Sequence, residues 1–351
     1  MSSILITGGA GFIGSHISVL LLEKGFNVCI LDSFMNSSKK IIFRIQKILE
    51  ESSSTNKGIL IVKEGDLKNI NFVDKVFFDL KKLGFPIKSV IHLAGLKSVN
   101  DSINMPLKYW ESNINTTLSL LNVMSKYNCI NLVFSSSATI YKTSEGLKLK
   151  EDASKMPFNP YGKTKLTIEI ILKDLFKSNQ DEWNIINLRY FNPVGAHPTG
   201  LIGENPNIKP TNLFPIISEV AKRNIDKLYI YGKDWPTRDG TCIRDYVHVM
   251  DLANAHLAAL KFLMKNENQF ISINIGTGEG TSTLEIVNKY VEINGVEVPF
   301  SYANRRVGDV CSLVADNSLA LDLLDWEPTK TINDMCYDSW RWANALNFEL
   351  M

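Results

Sequence analysis

Residues 4–14 read ILITGGAGFIG and indicate the type of fold more clearly than any other part of the sequence. Three apolar residues typical of a buried strand run into a glycine-rich turn, and the sequence from Ser15 onward has a helical pattern. A strand, a tight glycine turn and a helix in this order are typical of a dinucleotide-binding α/β unit, in which the helix N-terminus faces the pyrophosphate. The glycines permit the turn and let the backbone approach the ligand closely. We therefore predict a dinucleotide site built on Gly8, Gly11 and Gly14.

An acidic residue follows at the spacing that such a site needs. Asp32 ends the second apolar run, eighteen residues after Gly14. A carboxylate at this place accepts hydrogen bonds from an adenosine ribose and repels a 2′-phosphate, so Asp32 favours NAD over NADP as the cofactor. The competing interpretation, a tight turn followed by a surface aspartate, leaves the matched strand-turn-helix context unexplained.

Short apolar runs alternate with helical patterns through the first half of the chain. This alternation predicts parallel βαβ units and a Rossmann-type doubly wound sheet, forming an NAD-binding domain over residues 1–190. Proline-rich sequence with mixed short strands and helices predicts a smaller mixed α/β substrate domain over residues 191–351, some segments of which return to the first domain. The predicted strands are Ile4–Ile6, Val28–Leu31, Ile59–Val62, Ser89–Leu93, Asn131–Phe134 and Ile185–Leu188.

Two of these strands end in residues with a predicted binding role. Asp66 and Leu67 follow the third predicted strand, and Leu93, Ala94 and Gly95 end or follow the fourth. Ligands of an open α/β sheet bind in the crevice at the carboxyl ends of its strands. We therefore expect both segments to face the cofactor.

The composition argues against several classes of partner. The chain has 351 residues, 38 basic and 37 acidic, with a net charge of +1, so no strong field would recruit nucleic acid or an anionic membrane. Residues 1–25 lack a basic leader region, and we expect no export signal, no membrane span and a cytoplasmic location. The five histidines show no ligand spacing, so no metal site is predicted. The five cysteines are scattered singly, which is typical of reduced thiols.

Three residues predict the chemistry. Tyr161 and Lys165 lie four residues apart at a predicted helix start, and Ser137 follows a predicted strand. Residues four apart share one face of a helix, so the Lys165 ammonium can lie beside the Tyr161 phenol and favour its ionised form. Free tyrosine has a pKa near 10, so a base working near neutrality needs about 4 kcal/mol of stabilisation. Together with the glycine turn, these residues predict a nicotinamide enzyme.

Six segments carry a family resemblance that extends from Ile4 to about Trp342. They are SSSAT (135–139), NPYGKTK (159–165), AGLK (94–97), LRYFNPVGAHP (188–198), RDYVHVMDL (244–252) and RRVGD (305–309). The serine, tyrosine and lysine in this order resemble the extended short-chain dehydrogenase/reductase superfamily. Taken together, the segments resemble the UDP-glucose 4-epimerase family within that superfamily.

The resemblance implies an activity and a set of site residues. The enzyme would oxidise C4 of a UDP-hexose through bound NAD, rotate the keto sugar and reduce its opposite face. Tyr161 would be the base, Lys165 would hold the nicotinamide ribose and lower the tyrosine pKa, and Ser137 would bond the sugar hydroxyl. Around NAD the resemblance places Phe12, Ile13, Asp32, Asn36, Ser37, Asp66, Leu67, Ala94, Lys97 and Phe191. Around the UDP-sugar it places Lys97, Asn192, Asn212, Leu213, Arg244, Arg306 and Asp309.

Two positions depart from the family pattern. Ser112 stands where many relatives have a cofactor-contacting asparagine, so that contact is expected to be shorter or water-mediated. Leu313 stands four residues after Asp309, where family members that handle only plain hexoses have a tyrosine. The shorter side chain leaves room for a 2-acetamido group, which predicts activity on UDP-GlcNAc and UDP-GalNAc as well. The family also implies a homodimer, paired through helices near residues 100–125 and 160–178.

The sequence disfavours three alternative functions. A nucleotide-sugar 4,6-dehydratase would carry an acidic pair after Thr139, and the sequence has none there. A UDP-glucuronate epimerase or decarboxylase is disfavoured by the AHP segment at 196–198. A non-catalytic NAD-binding sensor or scaffold would have no need of an intact Ser137, Tyr161 and Lys165.

Overall fold

A seven-stranded parallel sheet forms the centre of the protein. The computed structural model describes residues 2–142, 148–179, 183–205, 210–306 and 309–348. Its strands are β1 (Ser3–Thr7), β2 (Asn27–Asp32), β3 (Leu60–Glu64), β4 (Ile87–His92), β5 (Asn131–Ser137), β6 (Asn184–Tyr190), β7 (Asn192–Val194), β8 (Leu228–Tyr231), β9 (Ile243–His248), β10 (Phe270–Ile275), β11 (Gly280–Ser282), β12 (Phe300–Ala303) and β13 (Ser312–Leu313). The central sheet has the order β10-β6-β5-β4-β1-β2-β3. Its strand order changes direction between β1 and β4, the point where such sheets bind ligands.

Helices cover both faces of this sheet. They are α1 (Phe12–Glu23), α2 (Lys40–Glu51), α3 (Ile70–Lys82), α4 (Val99–Asn104), α5 (Pro106–Lys126), α6 (Pro160–Ser178), α7 (Leu213–Ala221), α8 (Val249–Lys265), α9 (Thr283–Asn294), α10 (Ser318–Leu324) and α11 (Ile332–Phe348). Helices α1, α2 and α8 share one apolar cluster with the sheet, and α3, α5 and α6 share another.

The apolar runs of the sequence follow from this two-sided cover. Successive side chains of a strand point to opposite faces, so Ile4 and Ile6 of β1 pack in the cluster with α1, and Leu5 packs in the cluster with α3. Full burial of one such side chain stabilises the fold by about 1.5–3 kcal/mol. A strand buried on both faces therefore has an unbroken apolar sequence, as residues 4–6 do.

A second, more mixed region is built mainly from residues after 191. There β7, β9, β11 and β13 form one small sheet, and β8 pairs with β12. Helices α7, α9 and α11 share an apolar cluster around Phe214, Ile286, Tyr290 and Met335. The predicted fold class is thus confirmed. The seventh strand of the central sheet is β10, so one segment after residue 190 returns to that sheet. The division into domains at residue 190 stays a prediction.

Within the described ranges, no helix is both long and apolar enough to cross a bilayer. The same residues hold no group of three or more His, Cys, Asp or Glu side chains arranged to bind a metal ion. Cys29, Cys129 and Cys336 are buried thiols.

Candidate active site

The glycine turn after β1 lies against the segment that follows β4. Gly8 has a φ of +68°, and a Cβ added there would lie 2.9 Å from the Ala94 backbone nitrogen. A Cβ added at Gly14 would lie 2.4 Å from the Gly8 carbonyl oxygen. Gly11 precedes α1, and no side chain caps the start of this helix. The turn therefore excludes side chains and leaves helix N–H groups for an anion, as a pyrophosphate site requires.

Asp32, at the end of β2, is bound to this turn. Its Oδ2 accepts a hydrogen bond from the Ala10 backbone nitrogen at 3.0 Å. Its Oδ1 accepts from the Phe34 backbone nitrogen at 2.8 Å and from Ser37 Oγ at 3.1 Å. A carboxylate can accept about four hydrogen bonds. Three donors of the chain thus fix its orientation and leave capacity for a ribose hydroxyl.

A recess that is open to solvent lies beside the start of α1. Phe12, Asn36, Ser37, Arg44 of α2 and Trp342 of α11 line it. The Arg44 guanidinium carbon is 4.8 Å from the Trp342 ring centroid, a contact that joins α2 to α11. The recess lies next to the glycine turn, on the side of the site where the adenosine part of a dinucleotide is expected.

The segment after β4 is held from two sides. Thr7 Oγ1 accepts hydrogen bonds from the backbone nitrogens of Leu93 and Ala94 at 3.2 and 3.3 Å. A Cβ at Gly95 would lie 3.1 Å from Asn113 Oδ1 of α5. This segment therefore forms a fixed wall beside the glycine turn.

The other predicted cofactor residues differ in their exposure. Ile13 and Ser112 are half-buried, Asp66 and Lys97 are exposed, and Leu67 and Phe191 are buried.

Three consecutive serines of β5 face three residues of α6 spaced four apart. The Ser135 carbonyl accepts a hydrogen bond from Lys165 Nζ at 2.6 Å. Ser136 Oγ donates to Glu169 Oε1 at 2.5 Å. The Ser137 hydroxyl hydrogen-bonds the Tyr161 phenol. The structure thus brings Ser137, Tyr161 and Lys165 together at the carboxyl end of β5 and fixes the register of α6 against that strand.

Burial dominates the electrostatics of the pair on α6. Burial raises the pKa of Tyr161 to about 12, while the Ser137 hydrogen bond favours the ionised phenol. Burial lowers the pKa of Lys165 to about 8, so the ammonium form still prevails at neutral pH. Its Nζ lies 5.9 Å from the Tyr161 ring centroid. Within the chain itself, loss of solvent outweighs the stabilising contacts at Tyr161, and the lowering of its pKa by Lys165 in the working site stays a prediction.

Behind this pair lies a buried ion pair that the sequence analysis missed. Arg189 of β6 binds Glu169 of α6 in a bidentate manner, Nε to Oε1 at 2.9 Å and Nη2 to Oε2 at 2.7 Å. Both side chains are less than 8% exposed. Arg189 Nη1 also donates to Tyr141 Oη at 2.8 Å, and Tyr141 donates to Asn274 Oδ1 of β10 at 2.6 Å. The only sequence signal was Glu169 following Lys165 by four residues.

The residues predicted to hold the UDP-sugar lie mainly in the second region. Arg244 of β9 donates to Asp309 Oδ1 at 2.9 Å and lies opposite Leu313 of β13 in register. The Arg306 guanidinium lies 3.7 Å from the Tyr231 ring centroid.

Two polar side chains complete this group of residues. Asn212 immediately precedes α7, which begins at Leu213. Asn192 of β7 has a buried Oδ1 with no hydrogen-bond partner in the described part of the chain. A buried amide oxygen without a partner is costly, so it suits a donor supplied by a ligand.

The glycine turn and the serine, tyrosine and lysine side chains lie at the same edge of the central sheet. A dinucleotide turn at the switch point of a parallel sheet, with serine, tyrosine and lysine beside it, is the arrangement of extended short-chain dehydrogenases/reductases. In agreement, residues 5–339 match the family described as GDP-mannose 4,6 dehydratase.

Full-length relatives define the family within this class. UDP-glucose 4-epimerase of Bacillus subtilis (strain 168) is 43% identical over 343 residues, covering 98% of this chain and 97% of that protein. UDP-glucose 4-epimerase of Dictyostelium discoideum is 45% identical, covering 97% and 95%. The crystal structure of UDP-glucose-4-epimerase from Stenotrophomonas maltophila with bound NAD and formylated UDP-arabinopyranose superimposes with a TM-score of 0.92 at 40% identity, covering 99% and 100%. The chain belongs to the UDP-glucose 4-epimerase family.

Proposed function

We propose that this protein is an NAD-dependent UDP-hexose 4-epimerase that interconverts UDP-glucose and UDP-galactose. One observation carries the proposal: Ser137, Tyr161 and Lys165 meet at the end of β5, in a chain that matches 4-epimerases over nearly its full length. The dehydratase alternative lacks its acidic pair in the segment after Ser137, which is a short 3-10 turn of Ala138, Thr139 and Ile140.

The residues present fit NAD. The turn of Gly8, Gly11 and Gly14 would receive the pyrophosphate, because added side chains would fill that space. Asp32 would bind the adenosine ribose with its remaining acceptor capacity. The charge of this carboxylate disfavours a 2′-phosphate and hence NADP. Lys165 would hold the nicotinamide ribose.

The chain's own residues handle the proton at the sugar 4-hydroxyl. When bound, NAD supplies the redox chemistry by accepting a hydride from C4 and returning it, so that no net oxidation results. Tyr161 Oη takes the hydroxyl proton during oxidation and gives it back during reduction, and Ser137 Oγ orients that hydroxyl. Each pKa unit corresponds to about 1.4 kcal/mol, so a phenol raised to about 12 needs nearby positive charge to act at neutral pH. The Lys165 ammonium provides such a charge on the same helix face.

The second region would hold the nucleotide. Guanidinium groups bind diphosphate oxygens through paired hydrogen bonds, which gives Arg244 and Arg306 their proposed role. Asp309 holds Arg244 in place. When the ligand binds, the Arg244 guanidinium would exchange its contact with Asp309 for one with the ligand. Asn192 offers the sugar an amide oxygen that no residue of the described chain binds.

The test of the function is direct. Purified protein is given UDP-galactose, and UDP-glucose is measured at equilibrium, with Tyr161→Phe as the matched variant. We expect turnover by the wild type and, in the initial rate measured before equilibrium is reached, a loss of about 10²–10⁴-fold in the variant, the usual effect of removing a general base. Turnover of a UDP-uronic acid in place of the plain hexose would favour the glucuronate alternative. Absence of turnover on both would favour a non-catalytic NAD-binding protein.

The leucine at position 313 extends the proposal to N-acetylated substrates. Leu313 is half-buried and pairs with Arg244, which places it beside the proposed diphosphate site. We expect UDP-GalNAc to be epimerised as well, and Leu313→Tyr to reduce this activity while keeping that on UDP-galactose. Equal loss on both substrates would contradict a role in size selection.

Assembly and location are part of the same proposal. Helices α4, α5 and α6 expose Ile103, Leu107, Leu118 and Ile170, with Leu107 82% exposed, which supports pairing of two copies through these helices. Sedimentation should give twice the chain mass, and Leu107→Glu should lower it. The buried thiols of Cys29, Cys129 and Cys336, none of which forms a disulfide, support a reducing compartment such as the cytoplasm, which fractionation of expressing cells tests.

A further inference from the structure

The carboxylate of Glu204 joins two segments that are far apart in the chain. Its Oε1 accepts a hydrogen bond from Lys97 Nζ at 2.9 Å and from Asn212 Nδ2 at 2.7 Å. Lys97 belongs to the loop after β4, on the cofactor side, and Asn212 precedes α7, on the nucleotide-sugar side. One acidic oxygen thus connects the two halves of the proposed site.

The backbone of Glu204 is fixed independently of these contacts. Trp342 Nε1 of α11 donates to the Glu204 carbonyl at 3.0 Å. A Cβ added at Gly203 would lie 2.5 Å from the Trp342 ring, so the chain passes close to the indole. Gly203 also pairs with Ala196 in an isolated bridge. The carboxylate is therefore presented from a fixed position, while Lys97 reaches it from solvent.

The burial of the partners differs from that of a surface ion pair. The Glu204 side chain is 13% exposed, and that of Lys97 is 64% exposed. An ion pair of two exposed, mobile side chains contributes about 0–1 kcal/mol. A largely buried carboxylate that accepts two donors depends on them more strongly, because an unpaired charge in such a place is costly.

Asn212 shows that Glu204 decides the orientation of its partner. An asparagine before a helix commonly accepts a hydrogen bond from the first turn through its side-chain oxygen. Asn212 makes no such cap on α7, and its amide nitrogen donates to Glu204 instead. Its side-chain direction is thus set by the carboxylate.

We propose that Glu204 is a positioning residue that holds Lys97 and Asn212 in the orientations needed to bind the cofactor and the nucleotide sugar. This inference rests on the proposed function. Without Glu204 both side chains become free to turn, so ligand binding weakens. The proton-transfer residues keep their places, because α6 is held to β5 and β6 by separate buried contacts.

The experiment compares Glu204→Ala with Glu204→Gln. We expect Glu204→Ala to raise the KM for UDP-galactose about tenfold and to change kcat by less than about threefold. In Glu204→Gln the side-chain amide oxygen still accepts both donors, so the KM should rise by no more than about threefold. Glu292→Gln is the matched control, because Glu292 pairs with Lys289 on the surface of α9, and it should leave both constants unchanged.

Two binding measurements accompany the kinetics. UDP affinity by calorimetry should fall in Glu204→Ala, and the NAD retained per chain after dialysis should fall with it. A KM and a UDP affinity of Glu204→Ala within twofold of the wild type would overturn the inference, as would a Glu204→Gln variant as impaired as Glu204→Ala. If the wild type does not turn over UDP-galactose, the proposed function fails, and the UDP affinities still decide whether Glu204 positions its partners.

Discussion

The two halves of the candidate site are held together by different kinds of contact. Around α6 the contacts are buried: Lys165 binds the Ser135 carbonyl, and Glu169 binds both Ser136 and Arg189. On the nucleotide-sugar side, half-buried Arg244 pairs with Asp309, and Lys97 reaches Glu204 from solvent. Buried contacts fix the groups that move a proton, whereas the more exposed pairs can exchange a protein partner for a ligand atom. This difference suits an enzyme that must keep its chemistry in place while a sugar turns.

The buried and the exposed contacts should differ most in how much they contribute to the free energy of unfolding. Arg189→Met leaves the buried Glu169 carboxylate without its positively charged partner. We expect the free energy of unfolding to fall by about 3–5 kcal/mol. Arg238→Met is the matched control, since it breaks the half-exposed pair of Arg238 with Glu285 and should cost less than about 1 kcal/mol. Urea unfolding measures both. Equal losses of unfolding free energy in the two variants would show that the buried and the exposed ion pairs do not differ in their contribution to stability.

A second effect concerns acid stability of the buried half. His92 lies between Thr7 Oγ1 at 2.7 Å and Thr117 Oγ1 at 3.0 Å, and burial lowers its pKa to about 3. The unfolded chain takes up this proton near pH 6.5, so the stability due to neutral His92 is lost as the pH falls from 6.5 towards 3. At pH 5 the loss is about 2 kcal/mol.

The check on His92 is a difference between two proteins. His92→Gln can keep a donor and an acceptor for the two threonines but does not titrate. Its unfolding free energy should therefore fall less steeply than that of the wild type between pH 6.5 and pH 4. Parallel curves for the two proteins would show that His92 carries no such charge effect.

The smallest expected effect is on the nucleotide-sugar half. Arg244→Lys keeps the charge but not the planar fork that pairs with oxygen atoms, so we expect the KM for UDP-galactose to rise about tenfold. The free energy of unfolding should change by less than about 1 kcal/mol, because Asp309 is only partly buried. A fall in kcat at constant KM would instead place Arg244 with the reacting groups.

The parts of the site that could be predicted from the sequence are those set by local residue patterns. The glycine turn, Asp32, and the trio of Ser137, Tyr161 and Lys165 are encoded by short spacings within single βα units, and the structure places them at one edge of the sheet. Contacts between distant segments had no such signal. Lys97 donates a hydrogen bond to Glu204, for example, although the two residues are 107 positions apart in the sequence.

Strand pairing and burial are likewise set by the packed molecule. Segments after residue 190 were expected to return to the first domain, but no local pattern identified β10, which pairs with β6, as such a segment. Burial raises the pKa of Tyr161, and residue spacing does not contain that burial.

The fate of the hydrogen at C4 of the sugar distinguishes a returned hydride from a proton lost to solvent. UDP-galactose carrying deuterium at C4 is converted in ordinary water, and the UDP-glucose formed is analysed for deuterium at that carbon. If C4 gives up a hydride that is held in the site and returned, while Tyr161 exchanges only the hydroxyl proton, the deuterium remains at C4 of the product. Loss of the deuterium to solvent would contradict the proposed chemistry, because C4 would then be losing a proton instead of a hydride.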